Sequence, residues 1–156
     1  MAKVEYQDEG WNDLIVELEV ESIEAAVVAV NDAVQYLRSA VVEKLSGQRT
    51  GKTYRVPGTK RTYQASAEGE PPAVMLGNLR KNINASKAVV DGNEITAEVG
   101  VDGKAVPYAR RLEFGGTHTA SNGKQVFVAP RRYLRPTFIE QEANVDNILR
   151  RAAGSR

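Results

Sequence analysis

Three features of the 156-residue sequence predict an α+β fold. Apolar residues recur at helical spacing through Ser22–Leu45, alternate strictly with polar ones through Glu94–Val101, and return to helical spacing after Pro136. Together they predict a long N-terminal helix, an antiparallel sheet and a C-terminal helix, with the helices packed on one face of the sheet. A chain of this length suits a single domain over 1–156 with an adequate core.

The first helix is marked by Ile23, Val27, Val30, Val34, Leu37, Val41 and Leu45, each three or four residues from the last. Such steps form one stripe. Ser22 is suited to cap its start and Gly47 to end it. Trp11, Leu14, Ile15 and Leu18 precede it as either a short strand or a helical turn.

From Ser46 to Met75 the periodicity stops. The stretch holds Gly and Pro and almost no aliphatic rhythm, which is long for a structureless loop in a compact domain. Thr53–Val56 and Thr59–Tyr63 flank Pro57-Gly58, so an extended hairpin arm is expected. An arm without an apolar face needs a neighbour or stays mobile.

Asn82–Val90 reads as one strand with Ile83, Ala85 and Val89 on one face. Asp91-Gly92-Asn93 is a turn, and Glu94–Val101 follows with Ile95, Ala97, Val99 and Val101 facing inward. Val106–Phe114 reads as a short helix stopped by Gly115-Gly116. Thr117–Val128 reads as a second hairpin turning at Ser121–Lys124. In the last helix Leu134, Phe138, Val145, Ile148 or Leu149, and Ala152 line one side.

Composition removes many chemistries. There is no cysteine, which excludes disulfides, thiolate metal sites and cysteine nucleophiles, and there is one histidine, His118. The near-neutral total of +1 conceals segregation. Residues 1–45 carry ten acids against three bases, a net of −7; residues 46–81 carry +5 and residues 104–135 carry +6. These are either solvated faces that balance within the fold or complementary surfaces on neighbouring copies or partners. The first residues are polar and acidic, unlike a signal peptide, and no run is long enough to cross a membrane, so synthesis in a cytoplasm is expected.

Gly47–Thr53 imitates a phosphate-binding loop, but one residue is missing between its glycines and it follows a helix rather than a strand. The carboxylate pairs Glu68/Glu70 and Glu140/Glu142 read as surface charge. No catalytic, cofactor or metal residues are assigned, and the chain is not expected to be an enzyme. Arg49, Lys52, Arg55, Lys60 and Arg61 interleave with Tyr54 and Tyr63. Such an arm can track nucleic acid and stack bases. It can equally contact an acidic neighbour, and Arg131 and Arg132 could serve in the same way.

Four stretches together resemble the tail-completion, or head–tail joining, proteins of long-tailed double-stranded-DNA phages, over roughly residues 22–152. Gln64–Ala73 is similar to that family's "ASxPGExPA", with Glu68 where proline is common. Gly77–Ile83 is similar to "TGxLRxSI", with Leu76 and Asn82 departing from it. Tyr108–Gly116 matches "YAxxLEFGG" closely. Ala129–Pro136 is similar to "APRPFLRPA", with Arg132 in place of a proline.

The resemblance implies a structural virion protein forming a ring, usually hexameric, at the head–tail junction in the neck, made in the host cytoplasm. A tail terminator or other neck-ring protein is the near alternative; a nucleic-acid-binding module using the basic arm is the distant one. Implied partners are further copies of the chain, a connector or stopper protein, and a tail terminator or tail tube protein. DNA passes through without specific recognition, and no membrane or cofactor is involved. Gly77, Leu79, Arg80, Tyr108, Glu113, Phe114, Gly115, Gly116, Pro130 and Pro136 carry the motif. Glu113 with Gly115-Gly116 is expected to close the short helix against the sheet. Pro130 and Pro136 are expected to fix the chain's approach to the last helix.

Overall fold

The computed structural model describes residues 3–7, 13–17 and 23–152. In chain order the elements are β1 (Lys3–Gln7), β2 (Asp13–Glu17), α1 (Ile23–Ser46), β3 (Thr53–Arg55), β4 (Thr62–Gln64), α2 (Asn78–Lys81), β5 (Ile83–Ala85), β6 (Val89–Asp91), β7 (Glu94–Val101), α3 (Ala109–Phe114), β8 (Gly116–Thr119), β9 (Gln125–Val128) and α4 (Leu134–Ala152). The fold is α+β, with the long N-terminal and C-terminal helices and antiparallel sheets predicted from the sequence. The ambiguous segment before α1 is resolved as strand at Asp13–Glu17. Trp11, Leu18 and the expected cap Ser22 lie outside the described residues.

β7 is the centre of the main sheet. β2 pairs along one edge of it, β5 and β6 share the other, and β1 extends the sheet beyond β2. The alternation in β7 does what its pattern requires: Ile95, Ala97 and Val99 are buried, while Glu94 and Glu98 are exposed. α1 covers this apolar face, meeting β7 and β5, and α4 packs along α1. Leu37, Val41 and Leu45 of α1, Val99 of β7 and Leu134, Val145 and Leu149 of α4 belong to one buried cluster. Tyr36 Oη donates to Gln141 Oε1 at 2.6 Å, and Lys44 pairs with Glu140 at 2.7 Å, tying the two helices laterally. Ile23 is 57% exposed, so the buried stripe of α1 starts a turn later than its spacing predicts.

The strand expected over Asn82–Val90 is broken. Ala85 stands opposite Val99, but Val89 stands opposite Thr96, so three residues on one side face two on the other. One extra residue is a β-bulge, and it flips every later side chain to the other face. Ala88 therefore packs on the core and Val89 is 61% exposed, reversing its expected position. Polar groups freed by the bulge are satisfied. Ser86 N donates to Glu98 O, Glu98 N donates to Ser86 Oγ, and Ala88 N donates to Asn31 Oδ1 of α1 at 2.9 Å. The short helix also begins later than expected, at Ala109. Val106 and Pro107 form the turn before it.

Two hairpins stand outside the main sheet: β3–β4, which is the expected arm, and β8–β9.

Candidate functional site

The arm is ordered at its base. Gly51 N donates to Ala65 O at 3.0 Å and Ala65 N donates to Lys52 O at 2.9 Å, continuing the β3–β4 ladder downward. A Cβ at Gly51 would lie 2.5 Å from Ala65 O, so only glycine permits this approach. Glu70 closes the base. Its carboxylate accepts from Thr50 Oγ1 at 2.7 Å, Thr50 N at 3.0 Å and Ala67 N at 2.8 Å. The Thr50 hydroxyl first, then the two backbone N–H groups, hold this carboxyl well below its usual range, at about 2. Glu70 therefore clasps the loop rather than serving as plain surface charge.

Arg49 is a correction to its expected role as a partner contact. It is buried, and its guanidinium is spent inside the subunit. Nε donates to Pro71 O at 2.8 Å; Nη1 to Gly47 O and Gln48 O; Nη2 to Lys44 O, Leu45 O and Pro72 O. A planar cation with five donors thus caps the last carbonyls of α1 and pins residues 71–72 to them. Burial lowers its pKa from the ordinary arginine value, and Glu70 acts in the opposite direction. The same geometry disposes of the phosphate-loop likeness. Gly47–Thr53 sits where helix carbonyls gather, not where N–H groups do.

Arg131 is the second correction. Its Nη1 donates to Ser66 O at 2.7 Å, to Ser66 Oγ and to Ala67 O, and its backbone N donates to Leu112 O at 2.6 Å. It fastens the arm to the approach of α4 and is not a free partner contact.

Glu113 is the third correction. Instead of closing α3 against the sheet, it caps α4. The side chain is 1% exposed. Oε2 accepts from Tyr133 N at 2.8 Å and Leu134 N at 3.0 Å, and Oε1 accepts from Arg135 N at 3.0 Å. A helix start leaves four N–H groups without partners. Here one carboxylate takes three, and the fourth position is Pro136, which has none. Negative charge at this end also suits the helix dipole. Gly115 makes the approach possible. It has φ 75° and ψ −173°, and a Cβ there would lie 2.9 Å from Pro130 Cδ.

The four stretches that resemble the phage family therefore meet in space. Arg131 joins 129–136 to 64–73, and Glu113 joins 108–116 to 129–136. Residues 77–80 share with Tyr108, Leu112 and Arg131 the wall of a cavity of about 360 Å³. Gly77 begins α2 with φ 79°, Leu79 enters the core, and Arg80 donates to Ser46 Oγ at 3.1 Å. Tyr108 is 43% exposed at the cavity. Phe114 is exposed too, with the Arg110 guanidinium 5.6 Å from its ring.

The arm extends from this network, with Val56 buried and Tyr63 at the cavity wall. Tyr54 and Tyr63 stand opposite each other in the ladder, with ring centroids 6.1 Å apart. They share one face of the ribbon, and Tyr63 lines the cavity. Arg55, one residue on, belongs to the opposite face. Lys52, Arg55, Lys60, Arg61 and Arg132 are exposed, and among the described residues their side chains make no hydrogen bond or ion pair. The tyrosines thus pair with each other rather than alternating with the cations along a track for bases. The second hairpin carries Phe127, 70% exposed, a feature that sequence alternation cannot reveal because both faces of β9 are open.

His118 Nδ1 and Tyr133 Oη are buried without a hydrogen-bond partner among the described residues, and burial raises the Tyr133 pKa. No group of acidic and histidine side chains among the described residues could hold a metal ion, and no described helix is long and apolar enough to cross a membrane.

Compared with known proteins, the chain matches no family model, no curated protein and no solved structure.

Proposed function

We propose that the chain is a structural subunit of a phage neck, forming a homo-oligomeric ring that completes the tail and joins it to the connector. One observation supports this above the others. The four stretches that resemble the joining proteins fold into one unit, bound by hydrogen bonds and a shared cavity wall. The unit holds the base of an arm whose exposed cations the subunit leaves unused, which is what a subunit built to meet neighbours requires.

The test is removal of the coding sequence from the phage, with complementation in trans. The expected lysate holds DNA-filled heads and complete tails that are separate. A lysate of intact, infectious particles would overturn the proposal. Tails of irregular length instead of unjoined ones would assign the chain to tail termination.

A further inference from the structure

Two strand edges are open among the described residues. β6 pairs only with β7, and β9 only with β8. The two-residue turn Gly92-Asn93 makes Asp91 and Glu94 the hydrogen-bonded pair that closes the β6–β7 hairpin, so the next pair, Val90 and Ile95, is not bonded. Val90 therefore turns its N–H and C=O away from β7. In the second hairpin Ala120 N donates to Lys124 O, which makes His118–Val126 and Gly116–Val128 the bonded pairs. Gln125 and Phe127 therefore turn their N–H and C=O away from β8.

The side chains at these edges are apolar. Arg38 Nε donates to Ile83 O at 2.9 Å, and Ala88 N donates to Asn31 Oδ1, so α1 runs back along the β5–β6 edge. This course brings Val28, one turn before Asn31, toward Val90, which stands opposite Ile95 on the face that α1 covers. Val28 and Val90 are nonetheless 58% and 43% exposed. Phe127 is 70% exposed on a two-stranded hairpin, an arrangement that is marginal by itself in water. The charges at the two sites are opposite. The turn at residues 91–94 carries Asp91 and Glu94, and the β8–β9 hairpin carries Lys124 and no acid.

We infer that β9 of one subunit adds to the β6 edge of the next copy. The strands run antiparallel with Phe127 hydrogen-bonded opposite Val90, so that its ring covers Val90 and Val28. Val128 then falls opposite Val89, and Lys124 reaches the acidic turn. One strand edge recognises another through main-chain hydrogen bonds, while side chains select the partner, and this chain supplies a second edge of matching apolarity and opposite charge. The inference rests on the ring reading and specifies its interface. The two edges differ, so the contact is head-to-tail, as a ring requires.

Proline tests the contact while sparing the subunit's own ladders. At Val90 and at Phe127 it removes an N–H that points out of its own sheet, so full-length Val90→Pro and Phe127→Pro chains are expected to keep the wild-type circular dichroism. Sedimentation across a wide concentration range measures association. Wild type is expected to associate, and each variant to do so on the order of tenfold more weakly. The cysteine-free chain supplies a second measure. Val89 and Val128 form a non-bonded pair in this register, where Cα atoms approach to about 4.5 Å, within reach of a disulfide. Val89→Cys chains mixed with Val128→Cys chains are expected to link on oxidation, and Val89→Cys chains mixed with Gln125→Cys chains are not.

Variants that associate like wild type, or associated protein without the 89–128 cross-link, overturn the pairing and leave the ring reading standing. Linkage of Val89→Cys chains to each other, or of Val128→Cys chains to each other, overturns it in favour of a two-fold dimer. A wild-type chain that is monomeric at every concentration overturns the pairing and the ring together. Should a proline variant fail to fold, the cross-link decides.

Discussion

Removing the Glu113 carboxylate is the sharpest perturbation the fold offers. Three backbone N–H groups converge on it in a buried site, at 2.8 to 3.0 Å. An N–H left unsatisfied inside a protein costs about 1–3 kcal/mol. Glu113→Ala strands all three but opens space that water can enter, so a loss of about 3–5 kcal/mol is expected. Glu113→Gln is more informative because it keeps the volume. Its amide oxygen can serve two of the N–H groups, while its NH₂ confronts the third, donor against donor. A loss of about 2–3 kcal/mol follows. In a domain of this size each kcal/mol lowers the melting temperature by about 2–4 °C. Urea unfolding followed at 222 nm measures the loss, and amide exchange locates it, with Leu134 and Arg135 expected to exchange faster. A Glu113→Gln chain within about 0.5 kcal/mol of wild type would refute the capping role.

Four further outcomes follow from the same geometry. Arg49→Lys keeps the charge but supplies three donors for carbonyls that now share five, and should lower stability by about 1–3 kcal/mol in denaturant titration. Gly115→Ala places a Cβ 2.9 Å from Pro130 Cδ at a backbone conformation reserved for glycine, and should cost about 2–4 kcal/mol by the same measure.

The Glu70 pKa is depressed, so its contribution is fully present above the ordinary carboxyl value near 4.5 and disappears as pH falls toward about 2. Amide protection of Thr50 and Ala67 should fade across that window in wild type and be absent throughout in Glu70→Gln. Replacing residues 55–62 by a two-residue Asn-Gly turn, which joins the already paired Tyr54 and Tyr63, should shift the melting temperature by no more than about 3 °C while abolishing assembly. Loss of the cooperative transition would show that the arm belongs to the core.

The parts of the fold legible in the sequence are those that bury a face with a regular period. α1 and β7 were plain for that reason, and both hairpins were plain from their glycine-bearing turns. The bulge at 86–88 was not, because one extra residue leaves composition unchanged while inverting which side chains face inward.

The same limit governed the charged residues. Arg49, Glu70, Glu113 and Arg131 look like surface charge in a sequence, since the groups they bind are backbone carbonyls and N–H groups that every residue carries. One signal was present for Glu113. α4 begins after Arg132-Tyr133, with no Ser, Thr, Asp or Asn to cap it, so an acceptor had to come from elsewhere in the chain. Lys52, Arg55, Lys60 and Arg61 are expected from the sequence as partner contacts, and in the structure they are exposed on the arm.

The most direct measurement of the central claim is an electron cryomicroscopy reconstruction of the neck of the intact particle. A ring of this α+β subunit is expected between connector and tail tube. A joined particle whose neck density contains no such subunit would contradict it.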